Sequence, residues 1–271
     1  MINMEKKLSL TVILPLKSSK NKDFEDYFNK AISSLKNQKV GFEELLIVHS
    51  TEETLNNFLN NYDFENLPVK KLLWEDTPNF VKQVNYGVEN SVGNWISILE
   101  FDDEYSNIWF DNVIKYSESY PDVQMFLPVV VETDEKGGFA GFTNEATFAA
   151  NFSQELGFLT NDTLQDYQNF QTSGAVIKKS VFEDYGGMKP SIKLTFVYEF
   201  LLRLTYNSVS IMTIPRLGYK HTNMREGSLF WNYKFGEEKM VENEVRFWIQ
   251  TAKQEYFFTD DRVIKYEDST N

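Results

Sequence analysis

The sequence predicts an α/β fold, a mostly parallel sheet covered by helices on both faces. Three observations carry that expectation. Short β-branched and aliphatic runs recur at residues 8–14, 45–48, 69–74 and 95–99. Apolar stripes at helical spacing separate them, and the runs stop at Pro15, at His49-Ser50 and in the acidic residues from Glu75 and from Glu100. Strands that alternate with helical stripes are the pattern of βαβ units, whose sheets are buried on both sides.

Residues 8–14 read as the first strand, stopped by Pro15, with a polar loop over 17–22. Phe24, Tyr27, Phe28, Ala31, Ile32 and Leu35 then form one helical stripe that should lie on the sheet. The second strand is followed by a short helix marked by Leu55, Phe58 and Leu59. The third is followed by one striped by Phe80, Val81, Val84 and Val88 up to Gly93. The fourth strand, 95–99, ends in Glu100, Asp102, Asp103 and Glu104. In such sheets ligands bind beyond the carboxyl ends of the strands, where Pro15, His49, Glu75 and the acidic run would gather.

The second half is less regular. A helix over 107–119 carries Trp109, Phe110, Val113 and Ile114, and residues 123–131 read as a strand. From 132 to 170 the pattern is irregular around Gly137, Gly138 and Gly141, which reads either as a functional loop region shaping an acceptor site or as a surface excursion. Regular structure resumes at 172–177, then a short helix through Val181, Phe182 and Tyr185 that Gly186 and Gly187 would end. An apolar helix over 196–206 places Glu199 and Arg203 four apart, the spacing of an intrahelical ion pair. Residues 210–214 read as a strand, with Tyr219, Lys220 and His221 in the loop after it, and Val241, Val245, Trp248 and Ala252 stripe a C-terminal helix.

At 271 residues the chain can bury one generous core. It is read as one domain over 1–271, with halves at about 8–131 and 132–235 and a C-terminal helix and tail from about 236. A net charge of -13 disfavours a general nucleic-acid binder, although residues 1–40 hold eight Lys against four acids. With no Cys there are no disulfides, thiol nucleophiles or cysteine-ligated zinc; with only His49 and His221 there is no multi-histidine metal site. The first seven residues lack the apolar core of a signal peptide and no stretch approaches a membrane span, so the expectation is a soluble, cytoplasmic protein, possible peripheral membrane contact aside.

Acidic clusters at strand ends are usually solvated turns. One placed where a buried strand leaves the sheet supplies the hard oxygen ligands a divalent cation needs, and such a cation holds a diphosphate.

Four blocks in order resemble a family. They are Thr11 to Pro15; Asn85 to Asp103, with Gly87, Gly93, Glu100 and Asp102; Ser173-Gly174 through Gly186-Gly187; and Tyr219-Lys220-His221 with Ser228. Together they resemble the inverting, nucleotide-sugar-dependent glycosyltransferases of family 2, with the Rossmann-like GT-A fold. The resemblance implies transfer of a sugar from a nucleoside-diphosphate-sugar to an acceptor hydroxyl, and a manganese or magnesium cofactor bridging the donor phosphates. It puts Pro15, His49, Asn85 and Glu100 on the donor, with Glu100 at the ribose or the cation. Asp102 or Asp103 would be the metal ligand, and His221 would complete the shell or contact the diphosphate. A neutral imidazole favours manganese.

Two positions depart from the family pattern. The second strand ends in His49-Ser50, where acids that hold the base are usual. Aligned on Arg203, the acidic pair that includes the catalytic base falls on Phe196 and Val197, neither of which accepts a proton. Glu199 is the nearest acid and the candidate base, but two helix positions rotate a side chain by roughly 200°, which favours its ion pair with Arg203. Asp166 and Glu145 are the other acids in reach along the chain. These departures support a second reading, a catalytically degenerate binding or structural subunit. A nucleotidyltransferase is a third, for which residues 17–22 supply only a loose phosphate loop.

Overall fold

The computed structural model describes residues 7–153 and 156–266. Residues 1–6, most of the stretch read above as lacking a leader, lie outside them.

The elements follow the alternation. They are β1 (Lys7–Leu16), α1 (Phe24–Lys36), β2 (Gly41–Ser50), α2 (Glu53–Asn61), β3 (Val69–Trp74), α3 (Phe80–Glu89), β4 (Trp95–Ile98), β5 (Glu104–Tyr105), α4 (Trp109–Ser119) and β6 (Met125–Thr133). Then come β7 (Phe139–Thr143), a 3-10 turn (Ala146–Phe148), β8 (Gly157–Leu159), α5 (Asn161–Asp166), β9 (Val176–Lys178), α6 (Lys179–Tyr185), α7 (Phe196–Tyr206), β10 (Ile211–Thr222), α8 (Leu229–Phe235) and α9 (Glu242–Glu255). The described strands form one mixed sheet of order β3-β2-β1-β4-β9-β6-β10-β5, with β7 on β6 and β8 on β10.

Alternation along each strand divides the interior into two cores. Leu10, Val12 and Leu14 of β1 and Leu45 and Ile47 of β2 face one, with α1, α2 and α4 laid over them. Ile13, Leu46 and Val48 face the other, under α3, α6, α7 and α9. The helical stripes are what the sequence showed, and burial on both faces is why the strands read as continuous apolar runs rather than alternating ones.

The sheet is parallel through β3, β2, β1 and β4. Beyond β4 it is mixed, because β9 runs antiparallel between β4 and β6 while β6 and β10 are parallel. Gly93 sits where α3 feeds β4, and a Cβ there would stand 2.4 Å from the backbone nitrogen of Thr11. Only glycine lets the chain pass this close to β1.

Several boundaries differ from the sequence reading. Pro15 does not stop β1, which pairs through Leu16; at a strand's last residues the missing N–H costs little. The irregular stretch from 132 to 170 holds β7, β8 and α5. The largest correction concerns residues 219–221, which are strand: β10 runs to Thr222, bending at two register shifts between Ile214 and Tyr219. Pro215 and Gly218 at that bend look like a loop in sequence but are the residues a bulge tolerates. Among the described residues no helix is long and apolar enough to cross a membrane.

Candidate active site

The site begins with β4. Its last residues pair with β1, Leu99 N–H reaches the Ile13 carbonyl at 2.9 Å, and the chain turns at Glu100 with Asp103 N–H bonded to the Glu100 carbonyl. The turn is held from the far end of the sequence. β5 pairs antiparallel with β10, Tyr105 opposite Tyr219 and Glu104 opposite Lys220, and the next step of that register brings His221 to Asp103. The His221 Nδ1 lies 2.9 Å from Asp103 Oδ2, and the Thr222 N–H donates to Asp103 Oδ1 at 2.8 Å. Thr222 Oγ1 donates to the Asp102 carbonyl, and Tyr219 Oη accepts the Glu100 N–H at 3.2 Å. Gly174, at φ +70, makes room for the Tyr219 ring, which a Cβ would meet at 2.6 Å.

One ligand atom from each of Glu100, Asp103 and His221 lies within 4.8 Å of the other two. Two carboxylates and an imidazole are a donor set that suits a divalent cation with nitrogen tolerance, so these residues fit the metal the sequence implied. Burial, with the charge of Asp103 next, raises Glu100 to about 8. For His221 burial works downward, but the charge and hydrogen bond of Asp103, with Glu100 and Asp102, outweigh it and raise the imidazole to about 10.

Asp102 is turned elsewhere. Its Oδ2 accepts from Arg225 Nε at 2.5 Å, and the guanidinium lies 4.7 Å from the centre of the Phe101 ring. Burial and then Asp103 raise the Asp102 carboxyl, with Arg225 acting against them. Of the two aspartates that the sequence left as equals, Asp103 joins the ligand cluster and Asp102 forms an ion pair.

The cluster opens into a cleft of two adjoining lobes that share Phe80, Glu100, Asp102 and Phe196. The first, about 320 Å³, lies at the carboxyl ends of β1 and β4 and is lined by Pro15, Lys17, Phe101, Lys193 and Arg225. The second, about 470 Å³, is lined by His221, Glu132, Gln171 and Asn223 on one side and by Val197 and Phe230 on the other. Phe230 stacks on Phe196 with ring centres 6.2 Å apart.

Besides Asp103, which belongs to the cluster itself, three expected residues lie outside this lining. Asn85 uses its amide to clamp the backbone of Met188, donating at 2.7 Å and accepting at 3.2 Å. His49 is buried at the end of β2 with Nδ1 3.1 Å from the Ser50 carbonyl, and burial lowers its pKa. Glu199 is fully buried, bound by Arg203 Nε at 2.9 Å and Nη2 at 3.1 Å and by Lys189 Nζ at 3.1 Å. It points into the core on the side of α7 away from Val197, which lines the cleft, as the rotation of roughly 200° between the two positions implied. Glu145 is absent from the lining, and Asp166 lines a separate surface hollow.

Arg225, Lys193 and Glu132 were not singled out from the sequence. Glu132 follows the predicted strand 123–131 directly, so the strand-end rule that flagged Glu100 would have flagged it. For Arg225 and Lys193 no local pattern exists.

Comparison with known proteins gives the setting. The fold matches TarS of S. aureus: the structure of TarS 1-349 in complex with UDP-GlcNAc superposes with a TM-score of 0.68 at 15% identity, covering 90% of this chain and 65% of that one. TarS 1-349 in complex with UDP gives 0.62 at 14% identity, covering 89% and 78%. Against S. aureus TarS itself the TM-score is 0.58 at 14% identity, over 92% of this chain and 43% of that one. The chain therefore spans just under two thirds of the UDP-GlcNAc-bound fragment and less than half of the longer protein. No curated protein matches it in sequence. The model of the family described as Glycosyl transferase family 2 matches residues 11–186, from β1 to the end of α6. With well over half of its length in that match, the chain belongs to glycosyl transferase family 2.

Proposed function

We propose that the protein is a metal-dependent, inverting glycosyltransferase that moves a sugar from a nucleoside-diphosphate-sugar to an acceptor hydroxyl. One observation carries the reading: Glu100, Asp103 and His221 converge at the mouth of a cleft at the strand ends, their ligand atoms within 4.8 Å. These three residues would hold the cation, manganese before magnesium because of the imidazole. A bound cation neutralises charge that develops on the departing diphosphate. Lys17, Lys193 and Arg225 line the same lobe and add positive charge around it, Arg225 with its charge balanced by Asp102 until phosphates arrive. Pro15 and Phe101 belong to the apolar part of that lobe, with Phe80 and Phe196. The second lobe would take the acceptor, and attack from there, opposite the leaving group, inverts the anomeric carbon. UDP-GlcNAc, the ligand of the TarS structure, is the first donor to test. A cysteine-free chain suits a reducing compartment, and we place it in the cytoplasm.

Phe196 and Val197, at the cleft face of α7 where family members carry acids, favour a second reading, a protein that binds the donor without turning it over. Thermal unfolding with manganese and UDP-GlcNAc tests the first requirement of both. Binding to the native state at a hundred times Kd adds about 2.7 kcal/mol of stability, seen as a rise in Tm. Asp103→Asn is expected to abolish the manganese-dependent rise. A variant that keeps the full rise would remove the metal site from the proposal.

A further inference from the structure

We propose that Glu132 is the group that takes the proton from the attacking hydroxyl, in place of the acid missing from α7. The inference rests on the transferase reading above and assigns the role that reading leaves open.

Four carboxylates line the two lobes among the described residues: Glu100, Asp102, Glu132 and Glu238. Glu100 belongs to the cation cluster, and Asp102 is held by Arg225. Glu238 is exposed at the rim of the donor lobe. Glu132 is the one that lines the second lobe outside the cation cluster and its ion pair, the lobe whose other wall is Val197 and Phe230.

The sheet fixes where Glu132 stands. On parallel strands β6 and β10 it is the direct partner of His221, so the two side chains leave the same face of the sheet from strands about 4.8 Å apart. A carboxylate there stands beside His221 and lines the second lobe with it. Two amides hold it: Asn223 Nδ2 donates to Oε2 at 2.8 Å and Gln171 Nε2 to Oε1 at 3.4 Å, Gln171 being anchored in turn on Thr143 Oγ1 at 2.6 Å. A carboxylate accepts about four hydrogen bonds, so each oxygen retains capacity for a hydroxyl. The side chain is half-buried, reachable from the lobe yet fixed by its neighbours.

In the step assigned to it, the acceptor oxygen forms a bond to the anomeric carbon while the bond from that carbon to the diphosphate oxygen breaks. The electron pair of the broken bond leaves with the nucleoside diphosphate. The hydroxyl proton passes to Glu132. Water in the same lobe is activated in the same way, which makes donor hydrolysis a usable readout.

The test compares the unaltered protein with Glu132→Gln and Glu132→Asp, using manganese and UDP-GlcNAc and following both the rise in Tm and the release of UDP into water. General-base catalysis contributes about 10²- to 10⁴-fold, so Glu132→Gln is expected to lose turnover by that factor while keeping the donor-dependent rise. Glu132→Asp, with its carboxylate retained, is expected to fall between the two, and added formate to restore part of the activity of Glu132→Ala. Turnover by Glu132→Gln within threefold of the unaltered protein overturns the proposal, as does loss of donor binding in a folded Glu132→Gln, which would make Glu132 a donor contact. Donor binding without turnover by the unaltered protein also overturns it, in favour of the binding-protein reading. If the unaltered protein shows no donor binding at all, the transferase reading itself fails.

Discussion

Two groups of buried charge in this protein invite comparison. Around Glu199 a single carboxylate meets two cations, Arg203 and Lys189, and the surplus donors are spent on backbone carbonyls: Lys189 on Glu255 and Phe258, Arg203 on Tyr185, Gly186 and Gly187. Every N–H donor of the two cations is used, and the group joins α7 to the end of α9 and to the glycine turn after α6. Around Asp103 the balance is reversed. Three carboxylates, Glu100, Asp102 and Asp103, share one guanidinium and one imidazole, and burial together with the neighbouring negative charge raises the proton affinity of Glu100, as the carboxylates raise that of His221. A buried network with enough positive charge is a brace, whereas one short of positive charge and open to a cleft carries the donor set that a cation would use.

That contrast can be broken most forcefully at the brace. Glu199→Gln leaves two buried cations without their counterion and is expected to cost about 3–5 kcal/mol of unfolding free energy. Urea denaturation measures it; a loss below about 1 kcal/mol would mean the group is not structural. Any folded fraction should keep its manganese response, because Glu199 takes no part in the cleft.

A smaller effect separates the two groups by pH. Glu100 and His221 both have folded values above their ordinary ones of 4.5 and 6.5, so the folded state binds more protons than the unfolded one. Their contribution is complete below those ordinary values and is lost as pH rises through about 8 and about 10. Without metal, Tm is expected to fall as pH climbs from about 5 to about 10. Glu100→Gln should flatten the lower part of that slope, and manganese, which competes with the same protons, should oppose it. A slope unchanged by either would remove the cluster as its source.

The smallest expected effect comes from Val197→Asp, which restores an acid to the first turn of α7. A carboxylate at a helix N-terminus gains about 0.3–1 kcal/mol, against some lost apolar contact, so stability should change by less than about 1 kcal/mol. With Glu132 as the proton acceptor, the added acid should leave UDP release within about threefold, and a rise of a hundredfold would return the role to α7.

Much of the first half of the fold was legible in the sequence. The first four strands, the helices between them and the acid-tipped end of β4 all follow from local periodicity, because a strand buried on both faces and a helix buried on one must announce themselves residue by residue. The same locality explains where reading failed. His221 looked like a loop residue because Pro215 and Gly218 interrupt the strand pattern, and only pairing with β6 and β5 carries β10 through to Thr222. Asn85, on α3, spends its amide on the Met188 backbone, and His49, at the end of β2, is buried beside the Ser50 carbonyl.

The sequence by itself determined the α/β alternation, the position of the acids at a strand end, and the absence of an acid from the cleft face of α7. Tertiary structure alone decided that Asp103 joins His221 while Asp102 pairs with Arg225, and that Glu132 stands beside His221. Those partners lie 118, 123 and 89 positions apart in the numbering. Helix and strand periods are written in neighbouring residues, but which carboxylate meets which cation is set by strand register across the sheet, and no local pattern encodes it.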